Sequence, residues 1–386
     1  MVKPLSQLKL LFLISILFIG TFTGCVEEEQ KKGLEKQLTT EIELDQPFIL
    51  PDWKDGEYHD YYGTMQTLNE LNEKYPNLVY VHSIGESVLG KDIWCIRITN
   101  EGNDVIKSSC IIDGCIHGNE WEGGEACLYL AEYLLINFGN NATISHILNT
   151  TEVYIVPLLN PDGRQNDKRW NENGIDLNRN FDVDFGRLRG RCLRIGKLFG
   201  RIKIPYINFP RRGFYTNCGR RPFSEPETKA VSDLIKRIDH QDFSFYLSCH
   251  TAAHNIISPW GVFKPPFEMT QQEKSLFDHV MSWVDENTEY EPGGEFIWRG
   301  KKVYMSGTAV DWCFQEFRIP CFTFEILSTD YEPWLGKGKH DHLVHWMKTT
   351  LPVFMYFLVN IDNLRQWKAP DIQPTLPEGI PPPPLH

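Results

Sequence analysis

Positive charge is scarce in this chain of 386 residues: 39 Lys and Arg stand against 51 Asp and Glu, a net charge of -12. That balance excludes a general nucleic-acid binder, because polyanion binders carry a net positive face. Long apolar runs are scarce too. The stretch Leu10 to Ile19 falls short of the roughly 20 residues that a membrane-spanning helix needs. No internal repeat is visible, which excludes a solenoid or propeller. What is present is ordinary globular composition, 41% hydrophobic and 23% charged, over a length that suits one large α/β domain or two small ones.

The amino end runs from charged (Lys3, Lys9) through apolar (Leu10 to Ile19) to small residues ending in Gly24-Cys25, the order of an export signal. Residues 1–24 are expected to be a signal peptide. "FTGC" before "VEEEQ" resembles a lipoprotein cleavage box in which Cys25 becomes the lipidated first residue, though Phe22 departs from the usual leucine and plain secretion stays open. The expected location is outside the cytoplasm, as a cell-surface lipoprotein or a secreted protein. Residues 25–56 read as a polar tether, 57–361 as the folded domain and 362–386, ending "IPPPPLH", as a proline-rich tail. Within the domain, residues 186–221 hold eleven Lys or Arg and no Asp or Glu. They read as a solvated insertion, with contact to anionic lipid head groups or an acidic wall polymer as the sharper alternative. Of ten cysteines, Cys25 leaves nine, so at least one thiol is expected free. Cys192 and Cys218 bracket the basic insertion and are the preferred disulfide, whereas Cys110, Cys115, Cys249 and Cys321 lie in apolar runs and read as buried hydrophobes.

Strand-like runs cover 79–84, 93–98, 109–115, 153–159, 243–249 and 321–326. Helical periods cover 64–75, 121–138, 225–239, 271–288 and 344–361, the third opening with Ser224 as N-cap and Glu227 as its capping-box partner. This alternation predicts an α/β fold: a mixed, mostly parallel twisted sheet covered by helices on both faces.

Ligands bind such sheets beyond the carboxyl ends of their strands, and polar residues gather there. Run 109–115 ends at His117 and Glu120, 153–159 at Asn160-Pro-Asp-Gly163, 243–249 at His250 and 321–324 at Glu325. His117-x-x-Glu120 alone is either half of a metal site or two polar residues in a turn. Two imidazoles and a carboxylate together suit a catalytic zinc, which takes three protein ligands and keeps one position open; a site including Cys115 or Cys249 is the minor alternative.

The motifs "IHGNEWEGGEA", "LLNPDGRQNDKRW", "NGIDLNRNF", "FSEPET", "LSCHTAAHNIISPWG", "YMSGTAVDW" and "FTFEI" resemble, in order, those of zinc metallocarboxypeptidases of the carboxypeptidase A type, over roughly residues 57 to 361. The resemblance implies that fold in a single catalytic domain, one Zn²⁺ per chain held by His117, Glu120 and His250, and Glu325 as the general base that activates water. It makes Arg169 the stabiliser of the developing oxyanion, with Lys168 and Arg179 as neighbouring alternatives. Asn178 and Arg179 become the grip on the substrate's terminal carboxylate, Asp176 the partner of a zinc-bound imidazole, and Tyr304 the mobile tyrosine over the substrate. The segment Tyr304 to Asp311 is one residue shorter than the commonest family spacing, which leaves the register of Tyr304 open.

Val310 and Thr323 stand at the expected pocket floor. There a Lys or Arg side chain would bury an unpaired cation, whereas an aromatic or branched aliphatic one gains about 1.5 to 3 kcal/mol. The expected activity is therefore a metallocarboxypeptidase that prefers apolar or aromatic C-terminal residues. A cell-wall stem-peptide peptidase of the same fold is the alternative, and a peptide-binding lipoprotein without catalysis is the reading from another class. The expected partner is a peptide with a free C-terminal carboxylate, with no nucleic acid, membrane attachment through Cys25 where lipidated, and a monomeric state.

Overall fold

The structure is a computed structural model and describes residues 48–187, 217–238, 243–293, 297–298, 301–302, 304–327 and 342–366. The expected signal peptide with Cys25, most of the basic insertion with Cys192, and the tail beyond Gln366 lie outside the described residues. Among the described residues, eight strands form one sheet in the order β1 (Val79–Glu86), β2 (Asp92–Ile98), β4 (Thr151–Val156), β3 (Ser108–Gly114), β5 (Phe243–His250), β10 (Cys321–Glu325), β6 (Asn255–Ile257), β7 (Glu291–Gly293). The middle four, β4-β3-β5-β10, run parallel, while β1-β2, β2-β4 and β10-β6 pair antiparallel. β8 (Ile297–Trp298) and β9 (Lys301–Lys302) make a separate two-stranded ribbon.

The buried parallel strands β3 and β5 are covered along their whole length, as strands shielded on both faces must be. On one face, Phe245 of β5 and Phe322 of β10 meet Phe357 of helix Leu343–Val359, and Phe324 of β10 meets Phe354. Alternation then sends Tyr246, Ser248 and His250 of β5, with Thr323 and Glu325 of β10, to the opposite face. The register Thr323↔Ser248 and Glu325↔His250 sets them side by side.

Helix Trp121–Asn137 is buried along most of its length and enters tightly against β5, because a Cβ on Gly123 would fall 2.4 Å from the Cys249 carbonyl oxygen. Only glycine allows that approach. Residues 48–59, most of which read as tether in the sequence, are bound along this helix: Ile49 to Asn137, Trp53 to Glu132, Tyr58 to Glu122 and His59 to Glu125. The domain therefore begins before residue 57.

One local expectation is corrected. The helix expected over 225–239 spans Pro226–Arg237 with Glu225 at its N-cap and no side-chain capping bond; Ser224 instead donates to Glu225. Pro226 decides the start, since its fixed φ suits the first helical position. Cys218 is a buried thiol turned to the Gly219 carbonyl at 3.7 Å, and Cys192, its expected disulfide partner, lies outside the described residues. All eight described cysteines are free and buried.

Candidate metal centre

His117 and Glu120 lie on the turn that leaves β3, closed by the Glu120 N–H donating to the His117 carbonyl at 3.1 Å. Glu120 occupies the N-cap of helix Trp121–Asn137, yet its carboxylate makes no capping bond. It turns instead to the two imidazoles, with Oε1 at 2.7 Å from His117 Nδ1 and Oε2 at 2.8 Å from His250 Nδ1. The two Nδ1 atoms are 3.2 Å apart. These three buried side chains are the one group among the described residues able to hold a metal ion, and it contains no cysteine. The Cys115 thiol donates to the Glu120 carbonyl.

The far side of each ring explains the convergence. His117 Nε2 is 3.1 Å from Asp176 Oδ1, and His250 Nε2 is 3.3 Å from Ser248 Oγ. With the ring protons on Nε2, the tautomer these partners stabilise, both Nδ1 lone pairs and the Glu120 carboxylate point at one another. Three acceptors then meet with no proton between them, a donor set that fits a divalent zinc ion.

Asp176 also receives the Arg169 Nε–H at 3.0 Å, and Arg169 Nη1 donates to Glu120 Oε1 at 2.9 Å. Burial pushes the Asp176 carboxyl up, but Arg169 and then His117 outweigh it and hold the group well below the usual carboxylate range. Lys168, one residue away from Arg169, is exposed, and its chain is directed by its N–H to Gly163.

Asp176 caps the short turn Leu177–Arg179 by accepting the Asn178 N–H. Asn178 is anchored through its oxygen to the Ala309 N–H at 2.8 Å, which brings its amide nitrogen to 3.4 Å from His250 Nε2. Arg179 is buried, donates from Nη1 to the Asn178 carbonyl, and its Nε has no hydrogen-bond partner. Gly307 packs over this turn with φ +68°, where a Cβ would lie 2.3 Å from the Arg179 carbonyl oxygen.

Glu325 ends β10 beside His250 and is partly exposed. Burial raises its carboxyl to about 7, opposed by His250 and reinforced by Glu120. Thr323, partly exposed, is two residues earlier on the same face. Val310 is buried in the first turn of helix Ala309–Phe317, whose N-cap Thr308 and neighbour Asp311 bond each other; Asp311 also accepts the Gly261 N–H. Tyr304 is engaged edge to face with Phe263, its segment tied to 261 by the Met305 N–H. Asn160 is not drawn into the cluster: it caps helix Pro161–Gln165.

Sequence reading passed over Asp113 and Ser248. Ser248 Oγ donates to Asp113 Oδ1 at 2.7 Å, and the Tyr246 hydroxyl donates to Asp113 Oδ2. The signal was present in "FYLSCH", where alternation puts Tyr246 and Ser248 on the face of His250.

The sequence profile of the zinc carboxypeptidase family matches residues 64–336. Carboxypeptidase O of Bos taurus is 27% identical over 297 residues, covering 72% of this chain and 72% of its own. Carboxypeptidase A1 of Bos taurus is 24% identical, covering 71% of this chain and 69% of its own. Among solved structures, carboxypeptidase A from Helicoverpa armigera superposes with a TM-score of 0.61 at 22% identity over 88% of this chain and 81% of that one; thrombin activatable fibrinolysis inhibitor gives 0.61 at 20% identity over 86% and 80%. These two share the fold. With the profile spanning more than half of its length, this chain belongs to the zinc carboxypeptidase family.

Proposed function

We propose that the chain is an exopeptidase that removes apolar or aromatic C-terminal residues from peptides, using one Zn²⁺ held by His117, Glu120 and His250. The observation that carries this reading is the register Glu325↔His250, which sets a second carboxyl on the same sheet face as the three-ligand cluster. Bound zinc supplies Lewis acidity, polarising the scissile carbonyl and bringing water ionisation near neutrality. Glu325 takes the proton from the attacking water and returns it to the leaving amine, a role open to a carboxylate within reach of that water.

Arg169 already spends Nε and Nη1 on Asp176 and Glu120, so its guanidinium is fixed in place before negative charge develops on the scissile oxygen. Arg179, buried with Nε unpartnered, supplies with Asn178 the grip on the terminal carboxylate; Tyr304 covers the substrate. Val310 and Thr323 select the side chain, and no acid joins them at position 310. The peptide partner needs a free carboxylate, the working state is a monomer, and export with lipidation at Cys25 rests on the amino-terminal sequence alone.

The test compares blocked dipeptides ending in Phe, Leu, Lys or Arg, and a Phe peptide closed as the amide. Phe and Leu are expected to exceed Lys and Arg in kcat/KM by at least about 10-fold, the scale of one buried side chain, and the amide to resist cleavage. A faster release of Lys or Arg sinks the specificity, and ready cleavage of the amide sinks the exopeptidase reading.

A further inference from the structure

We infer that Ser248 and Asp113 form a relay that positions His250 for the metal, with Ser248 as the acceptor of the His250 Nε2–H and Asp113 as the acceptor of the Ser248 hydroxyl. The inference rests on His250 ligating through Nδ1. Two groups approach His250 Nε2, namely Ser248 Oγ at 3.3 Å and Asn178 Nδ2 at 3.4 Å. A ring that offers the Nδ1 lone pair to a cation carries its proton on Nε2 and needs an acceptor there. Asn178 cannot serve: its Nδ2 is itself a donor, and turning the amide over would remove the oxygen that takes the Ala309 N–H at 2.8 Å. Ser248 can, because its own proton goes to Asp113 Oδ1 at 2.7 Å and leaves the hydroxyl lone pairs free.

The donors line up in one direction, His250 to Ser248 to Asp113, and the Tyr246 hydroxyl closes the far end on Asp113 Oδ2. The sheet builds this without any loop: Tyr246, Ser248 and His250 alternate onto one face of β5, and the β3–β5 register pairs Asp113 with Ser248. Asp113, Ser248 and Tyr246 are fully buried. His117 is oriented by a carboxylate directly, through Asp176; His250 is oriented by one at a remove, through a hydroxyl.

Zinc affinity of the full chain, measured by competition with a zinc-chelating dye, reads the relay apart from turnover. Ser248→Ala is expected to weaken zinc 10- to 100-fold, the range for lost partners of metal-bound histidines. Asp113→Asn is expected to weaken it less, and the double variant to be no weaker than Ser248→Ala alone, since the two act in series. Ser248→Thr, which keeps the hydroxyl, is expected to bind as wild type. Should Ser248→Ala not fold, Asp113→Asn carries the test. Wild-type affinity in Ser248→Ala or, where that variant does not fold, in Asp113→Asn, or losses that simply add in the double variant, overturn the relay. A wild type that takes up no zinc overturns the ligand assignment beneath it.

Discussion

Glu325 stands in a strand whose neighbours Phe322, Phe324 and Ile326 are fully buried, and its carboxyl lies beside His250 without coordinating in the three-residue cluster. Glu325→Gln is therefore expected to keep about one zinc per chain while kcat falls 10²- to 10⁴-fold, the span of a lost general base. Metal analysis beside turnover of a C-terminal Phe peptide checks it; a variant that keeps wild-type turnover sinks the base assignment. Arg179→Lys keeps the charge and loses the planar fork. With charged hydrogen bonds contributing about 1.5–3 kcal/mol, kcat/KM for the same peptide is expected to drop about 10- to 100-fold, and the handicap of the amidated peptide to shrink. The cluster residues were legible because their motifs are local: His117 and Glu120 are three apart, and Asp176, Asn178 and Arg179 share one turn. Ser248 and Asp113 were not, because their meeting depends on the register between strands 135 positions apart in the chain, which no local pattern encodes.

Among elements, the long helices and central strands followed from periodicity, and their ends moved by a few residues. β6 was missed since Asn255–Ile257 is a three-residue antiparallel partner to β10, too short to show alternation. Helix Ala309–Phe317 was missed because "GTAVDW" draws attention as a motif before its apolar face is visible. The turn at Gly307 gives a sharp prediction. Gly307→Ala places a Cβ in a left-handed backbone and against the Arg179 carbonyl, so it should lower Tm by the equivalent of at least about 1–2 kcal/mol and raise KM through displacement of Arg179. An unchanged Tm and KM would show that the loop relaxes freely. At the other edge of the sheet, Glu273 both completes the capping box of helix Gln271–Asn287 with Thr270 and pairs with buried Arg318, whose guanidinium sits 3.8 Å over Phe267. Removing one partner of a buried pair leaves the other charge stranded. Arg318→Met is accordingly expected to lose about 3–5 kcal/mol in denaturant unfolding, and a loss under 1 kcal/mol would mean that water reaches the site.

For the molecule as a whole, His59 ties residues 48–60 to helix Trp121–Asn137 through Glu125 at 2.7 Å. Burial disfavours its charge, yet the Glu125 hydrogen bond and attraction prevail and raise its pKa above the ordinary value. The folded state therefore holds this proton more tightly than the unfolded one. Its contribution is full below pH 6.5 and is lost as pH rises through the folded value. Tm is expected to fall between pH 6 and pH 8.5, and His59→Gln to flatten that slope; an equal slope in the variant removes His59 as its source. His117 and His250 are 133 residues apart in the chain, and the described cysteines are all free. An ion shared by the two rings closes a loop of that length, a constraint on the unfolded chain worth about 4–5 kcal/mol in the entropic treatment of cross-links. With zinc on both rings, the cofactor of the chemistry would double as the staple of the sheet: a chelator is expected to strip activity and, in the same act, to lower the temperature at which β3 and β5 part.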